Sequence, residues 1–263
     1  MSVTPPAPAS GPSPPVADGF PLWAPFAVFL IAIGTGSVAL AVIAAAIGGS
    51  ADTPGMKLGA TFVLDATLIG AMVLVARLSG VRVSPAAFGL RPPRGGRAVL
   101  TAVLVFVAFY VFLIAWSQLD PGAEDDLVED LGAKDSTLAL VAVAVLTTLV
   151  APFVEELFYR GFLFGALRRA MPWIWAAVLA GVLFGGIHLG TPAIFLVPLA
   201  VFGALLCVLY QRTDSLIPGM GVHAFNNALA LGYSLDWTAA QRGAVLIAAP
   251  LVVMSIATAL SRP

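Results

Sequence analysis

Apolar runs of about 18 residues or more recur along this chain of 263 residues, each long enough to cross a bilayer as a helix. In hydrocarbon a backbone must satisfy its own hydrogen bonds, which leaves helices or a closed β-barrel. Barrel strands alternate apolar and polar residues over about ten positions, and these runs do not alternate. With 60% hydrophobic and 10% charged residues, the chain reads as an all-α polytopic membrane protein. Eight spans are predicted, at about 22–48, 58–78, 98–118, 137–168, 172–190, 192–211, 215–234 and 241–260.

Residues 1–20 are rich in proline, serine and glycine and hold no lysine or arginine. They read as a disordered tail without the basic region of a signal peptide, and residues 21–263 read as the membrane domain. Arg82, Arg91, Arg94 and Arg97 share one loop, Arg168 and Arg169 follow the fourth span, and Arg212 follows the sixth. By the positive-inside rule these loops are cytoplasmic, which puts both termini in the cytoplasm and fits an even number of spans. An inner, multi-pass cell membrane is the expected location. Net charge is −1 with no basic tract, so membrane lipids are the expected partners and nucleic acid is not. Oligomeric state is not legible. The acidic loop at 120–135 reads as a solvated outer cap. VSPAAFGLRPPRGGRA reads as an interfacial segment with arginines facing lipid headgroups. Trp23, Trp173 and Trp175 read as interfacial anchors, and Cys207, the sole cysteine, as a small buried hydrophobe.

Ionisable groups are costly in hydrocarbon and mark functional sites there. The chain has two histidines, His188 and His223, both inside apolar stretches, and the fourth span carries Glu155, Glu156 and Arg160. Glu156 and Arg160 are four apart and can pair on one helix face, while Glu155 points about 100° away and is left for chemistry. Pro152 removes a backbone hydrogen bond and favours a kink beside the carboxylates. Asn227 follows His223 by one turn, on the same face. Asp65 is a further intramembrane acid, with Thr61 as a candidate partner. A rise of about 1.5 Å per residue sets Glu155 and His223 near mid-span but His188 roughly 10 Å further outward, a gap that tilt or altered helix limits must close.

Three motifs here resemble those of the CPBP intramembrane protease family, also called the CAAX protease or Abi family. EELFYRG matches its EExxxR motif, FGGIH its FxxxH motif and HAFNN its HxxxN motif, in the family's order, over a core of about residues 80–235. The resemblance implies an active site inside the helical bundle, in which Glu155, His188, His223 and Asn227 form the catalytic set. Glu156 and Arg160 would bind substrate or hold the site together, and Tyr159, Phe184 and Asn226 would support it. The family includes prenyl-protein endopeptidases and bacterial members tied to bacteriocin processing or self-immunity. An excess of arginine over lysine also fits a bacterial, GC-rich genome.

The chemistry can be stated without the family. Glu155, assisted by His188, is suited to activate a water as general base. His223 and Asn227 are suited to donate hydrogen bonds to the oxyanion. No cofactor is required in this scheme. Three readings stay beside it. Glu155, His188 and His223 could instead ligate zinc or another divalent metal with an open fourth position. The same acid and histidines could relay protons in a transporter. A non-catalytic immunity or scaffold protein could bind a membrane protein or peptide with this pocket. Whether the substrate is prenylated cannot be read from the residues.

Overall fold

The computed structural model describes residues 19–47, 50, 52–93, 96–122, 127–188 and 191–262. Of the expected disordered tail, residues 1–18 lie outside these. Each of the eight predicted spans is a helix: α1 (Ala24–Ile47), α2 (Pro54–Leu78), α3 (Ala98–Ser117), α4 (Thr137–Ala170), α5 (Trp173–Gly186), α6 (Ala193–Thr213), α7 (Ile217–Ser234) and α8 (Ala239–Leu260). Six of them, all but α5 and α7, are long and apolar enough to cross a membrane. The chain is therefore an all-helical, multi-pass membrane protein.

The two shorter or more polar helices are the ones that carry the histidine motifs. Helix α5 has 14 residues and stops at Gly186, and α7 has 18 residues that include His223, Asn226 and Asn227. Helix α7 packs against α3, α4, α6 and α8, so its polar side chains face protein rather than lipid. By contrast α1 exposes Leu30, Val38 and Val42, and α3 exposes Val99, Val103, Val107 and Val111. Such apolar faces suit a hydrocarbon surround.

Helix α4 is not a uniform α-helix. Two stretches, Leu146–Val150 and Glu156–Phe164, wind with π-type hydrogen bonds, separated by the α-helical Ala151–Glu155. π-Type turns recur at functional sites, and all nine residues of the second stretch are buried. The bundle thus wraps its other helices around the segment that carries Glu156 and Arg160.

Close approach of α5 and α6 sets the position of the FxxxH motif. A Cβ added at Gly185 would lie 2.6 Å from Leu196 O, and one added at Gly181 would lie 2.4 Å from Ala200 O. Small residues let helix backbones meet in this way in membranes. Gly185→Ala should therefore push the seam apart and cost about 1–3 kcal/mol. A thermal scan of the detergent-purified variant, showing an unchanged midpoint, would contradict that packing.

Two surface readings change. Arg91 does not face headgroups: it pairs with Asp214, donates to Asp214 O at 2.7 Å, and its own carbonyl accepts from Ser215 Oγ at 2.6 Å. The segment before α3 is thus docked on the α6–α7 turn, because a half-buried carbonyl and a carboxylate offer the guanidinium better partners than water does. The acidic loop is partly docked too. Its turn Leu127–Asp130 is tied by Lys57 to Asp130 at 3.6 Å and by Lys134 to Glu129 at 2.8 Å. Leu131 and Ala133 are buried with Val143 and Leu231.

Candidate active site

A buried ion pair anchors the site. Arg160 Nη1 stands 2.8 Å from Glu156 Oε1, with side chains 0% and 1% exposed. Arg160 Nη2 also donates to Gly203 O on α6 at 3.2 Å, and its guanidinium lies 4.6 Å from the Phe184 ring centre. The pair therefore ties α4 to both α5 and α6. Its energy is a balance, since desolvation rivals the Coulombic gain, but removal of one partner alone is costly.

Glu156 Oε1 has a second partner, His223 Nδ1, at 3.0 Å. A carboxylate accepts, so Nδ1 carries the hydrogen and the orientation of the ring is set. Phe184 and Phe202 hold that ring edge-on, with centres 5.8 and 5.5 Å away. Gly219 leaves room for the carboxylate, because a Cβ there would lie 2.9 Å from Glu156 Oε2. The opposite nitrogen, His223 Nε2, faces Glu155 Oε2 at 3.6 Å.

Glu155 differs from its neighbour. Its side chain is 17% exposed, so a carboxylate that water can reach stands one residue from a carboxylate that is sealed. His223 bridges the two. In the order Glu156, His223, Glu155, the first orients the imidazole and the third can exchange a proton with it, as the oriented base of a catalytic triad does.

His188 lies in the turn after α5. Its Nδ1 is 2.8 Å from Phe184 O, a carbonyl that only accepts, so Nδ1–H donates and Nε2 is the acceptor of the neutral ring. The Phe184 ring touches the His188 ring as well, at 5.2 Å between centres. Because α5 ends at Gly186, His188 is carried in a turn packed on Phe184 rather than on a continuing helix. The sequence paired His188 with Glu155. The structure also sets His223 beside Glu155, a choice that helix packing makes and spacing does not encode.

Asn227 reaches back to α4, where its Nδ2 donates to Thr147 O at 2.9 Å. A register change and a proline explain why that carbonyl needs a partner. Ala151 N–H donates to Leu146 O, five residues back. The same register would assign Thr147 O to residue 152, which is proline and has no N–H. Pro152 thus acts by offering a backbone acceptor to α7. Asn226 Nδ2 donates to Asn227 Oδ1 at 3.3 Å.

Tyr159 is buried against Phe184 at 5.1 Å between ring centres. Asp65 is buried on α2, which packs on the Glu155 turn, and its Oδ2 has no hydrogen-bond partner among the described residues. Thr61 bonds Lys57 O at 3.0 Å. The sequence could not mark the carbonyls of Thr147 and Gly203, since backbone acceptors carry no residue identity. Among the described residues no three His, Cys, Asp and Glu side chains are grouped so as to hold a metal ion.

Comparison with known proteins agrees with the motifs. Residues 137–229 match the family described as type II CAAX prenyl endopeptidase Rce1-like. The chain is 24% identical over 149 residues to a Bacillus subtilis (strain 168) protein named "Putative membrane peptidase YdiL". That match covers 54% of this chain and 58% of the relative, so the chain spans less than two thirds of that protein's length. No solved structure matches.

Proposed function

From the match of residues 137–229 to the type II CAAX prenyl endopeptidase Rce1-like family and from the three motifs, we propose that the protein is an intramembrane endopeptidase of the CAAX protease (CPBP) family that hydrolyses a peptide bond of a membrane-associated protein or peptide. The observation that carries this reading is the partly exposed Glu155 carboxylate beside His223 Nε2, with Nδ1 of the same ring held by a sealed glutamate–arginine pair.

In the proposed reaction Glu155 takes a proton from water as the water oxygen bonds to the scissile carbonyl carbon. Nε2 of His188 accepts the second hydrogen of that water and orients it. The negative charge that develops on the carbonyl oxygen meets the second N–H of Asn227 Nδ2 and, when Nε2 carries a proton, His223. Collapse breaks the C–N bond, and Glu155 returns its proton to the leaving amine. Glu156 and Arg160 fix His223 and do no chemistry. Donors preorganised in a low-dielectric bundle act more strongly than they would in water. Both termini are assigned to the cytoplasm of a cell's inner membrane.

No step passes through a metal. The protein, purified in detergent, returned to liposomes and treated with phenanthroline, is expected to keep its rate on a lipidated peptide read by mass spectrometry. Loss of activity on chelation, with recovery on added zinc, would replace the glutamate–water mechanism by a metal-dependent one. Substrate identity follows from comparing membranes of cells that carry the wild type and the Glu155→Gln variant. Accumulated uncleaved precursors are expected in the variant, and identical membrane proteomes would count against proteolysis.

A further inference from the structure

Three side chains form a hydrogen-bonded chain, with a fixed direction, that ends on Asn227. Tyr110 Oη, on α3, donates to Asn226 Oδ1 at 3.1 Å. Asn226 Nδ2 donates to Asn227 Oδ1 at 3.3 Å, and Asn227 Nδ2 donates to Thr147 O at 2.9 Å. The last link dictates the others. A backbone carbonyl only accepts, so Asn227 must turn Nδ2 to Thr147 and Oδ1 to Asn226. Asn226 must then offer Nδ2 to Asn227, which leaves its own Oδ1 to be met by the Tyr110 hydroxyl.

This direction matters because an amide presents a donor at one end and an acceptor at the other. An Nδ2 group has two N–H bonds, and Thr147 uses one. A flipped Asn227 would turn an oxygen towards a developing oxyanion in place of the second N–H. Removing the hydroxyl of Tyr110 leaves Asn226 Oδ1 without its donor and frees the Asn226 amide to rotate, so Asn227 keeps Thr147 but loses the fixed donor on its Oδ1.

We infer that Tyr110 is a positioning residue, which acts through Asn226 to hold the Asn227 amide with its donor towards the scissile carbonyl. The inference rests on the reading of Asn227 as an oxyanion donor in the proposed peptidase. The ring of Tyr110 is seated independently of its hydroxyl, against Phe106 at 4.5 Å and Phe109 at 5.3 Å between centres. Phe106 in turn meets Phe225 of α7 edge-on at 5.2 Å. Tyr110→Phe therefore removes the hydrogen bond and keeps the packing.

The test uses the full chain in liposomes. Tyr110→Phe should lower kcat about 3- to 10-fold, the equivalent of one neutral hydrogen bond, with KM unchanged. In an Asn227→Ala background the same substitution should change kcat no further. An unchanged kcat in the single variant, or an equal fold-loss in both backgrounds, overturns the inference. A second measurement needs no turnover. With nitrogen-labelled asparagine, the Asn227 side-chain amide resonances should broaden or shift in Tyr110→Phe, and an unaltered Asn227 signal would equally overturn it. A wild type that cleaves no membrane peptide would remove the peptidase reading, while the amide signal still decides whether Tyr110 positions Asn227.

Discussion

Glu155→Gln is expected to reduce peptide-bond cleavage by about 10²–10⁴-fold in kcat, the range that a positioned general base supplies. Glutamine keeps the size and the hydrogen-bonding outline of glutamate but has no basic oxygen to take the proton from water. The substitution also puts a neutral amide opposite His223 Nε2, where the carboxylate stands at 3.6 Å, so the proton exchange between the two is lost as well. Stability should barely move. Glu155 is partly exposed, and the residues that lock the helices together, Glu156 and Arg160, are untouched. Single-turnover cleavage of a lipidated peptide, measured beside a thermal scan of the same sample, separates the two effects. A variant that folds and cleaves at the wild-type rate would end the assignment of Glu155 as base.

Arg160→Met should have the largest effect on stability. It keeps much of the side-chain volume but leaves the Glu156 carboxylate, 1% exposed, without its guanidinium. Breaking a buried pair from one side costs about 3–5 kcal/mol, which corresponds to a fall in Tm on the order of 10 °C for a domain of this size. The contacts to Gly203 O and to the Phe184 ring disappear in the same step. Adding Glu156→Gln to this variant should recover part of the loss, because the uncompensated charge is then gone. Differential scanning fluorimetry in detergent reads both variants. A double variant as unstable as Arg160→Met alone would show that packing of the guanidinium, not its charge, holds the bundle.

The parts of the fold that follow from local composition were legible. Uncharged apolar runs delimit the helices to within a few residues, because in hydrocarbon each segment must close its own hydrogen bonds. The pairing of Glu156 with Arg160 was legible for a similar reason, since four residues of helix set both on one face. Other features depend on contacts between distant segments. Arg91 reads as a headgroup ligand until its partner Asp214 arrives from the far end of α6. Pro152 reads as a kink, yet what it yields is an acceptor at Thr147 that Asn227 fills from α7. Tyr110 reads as one more aromatic of an apolar span until Asn226 meets its hydroxyl.

The sequence by itself therefore determined the environment, the helices and the group of residues from which a site could be made. Glu155, Glu156, Arg160, His188, His223 and Asn227 stood out because polar groups in hydrocarbon are expensive and so need a reason. Only the tertiary structure decided how they meet. Spacing along a helix fixes angles around its own axis and says nothing about which neighbour lies opposite. The shortness of α5 and the approach of α7 to α4 are properties of the packed bundle. They bring His223 between the two glutamates and leave His188 in a turn against Phe184.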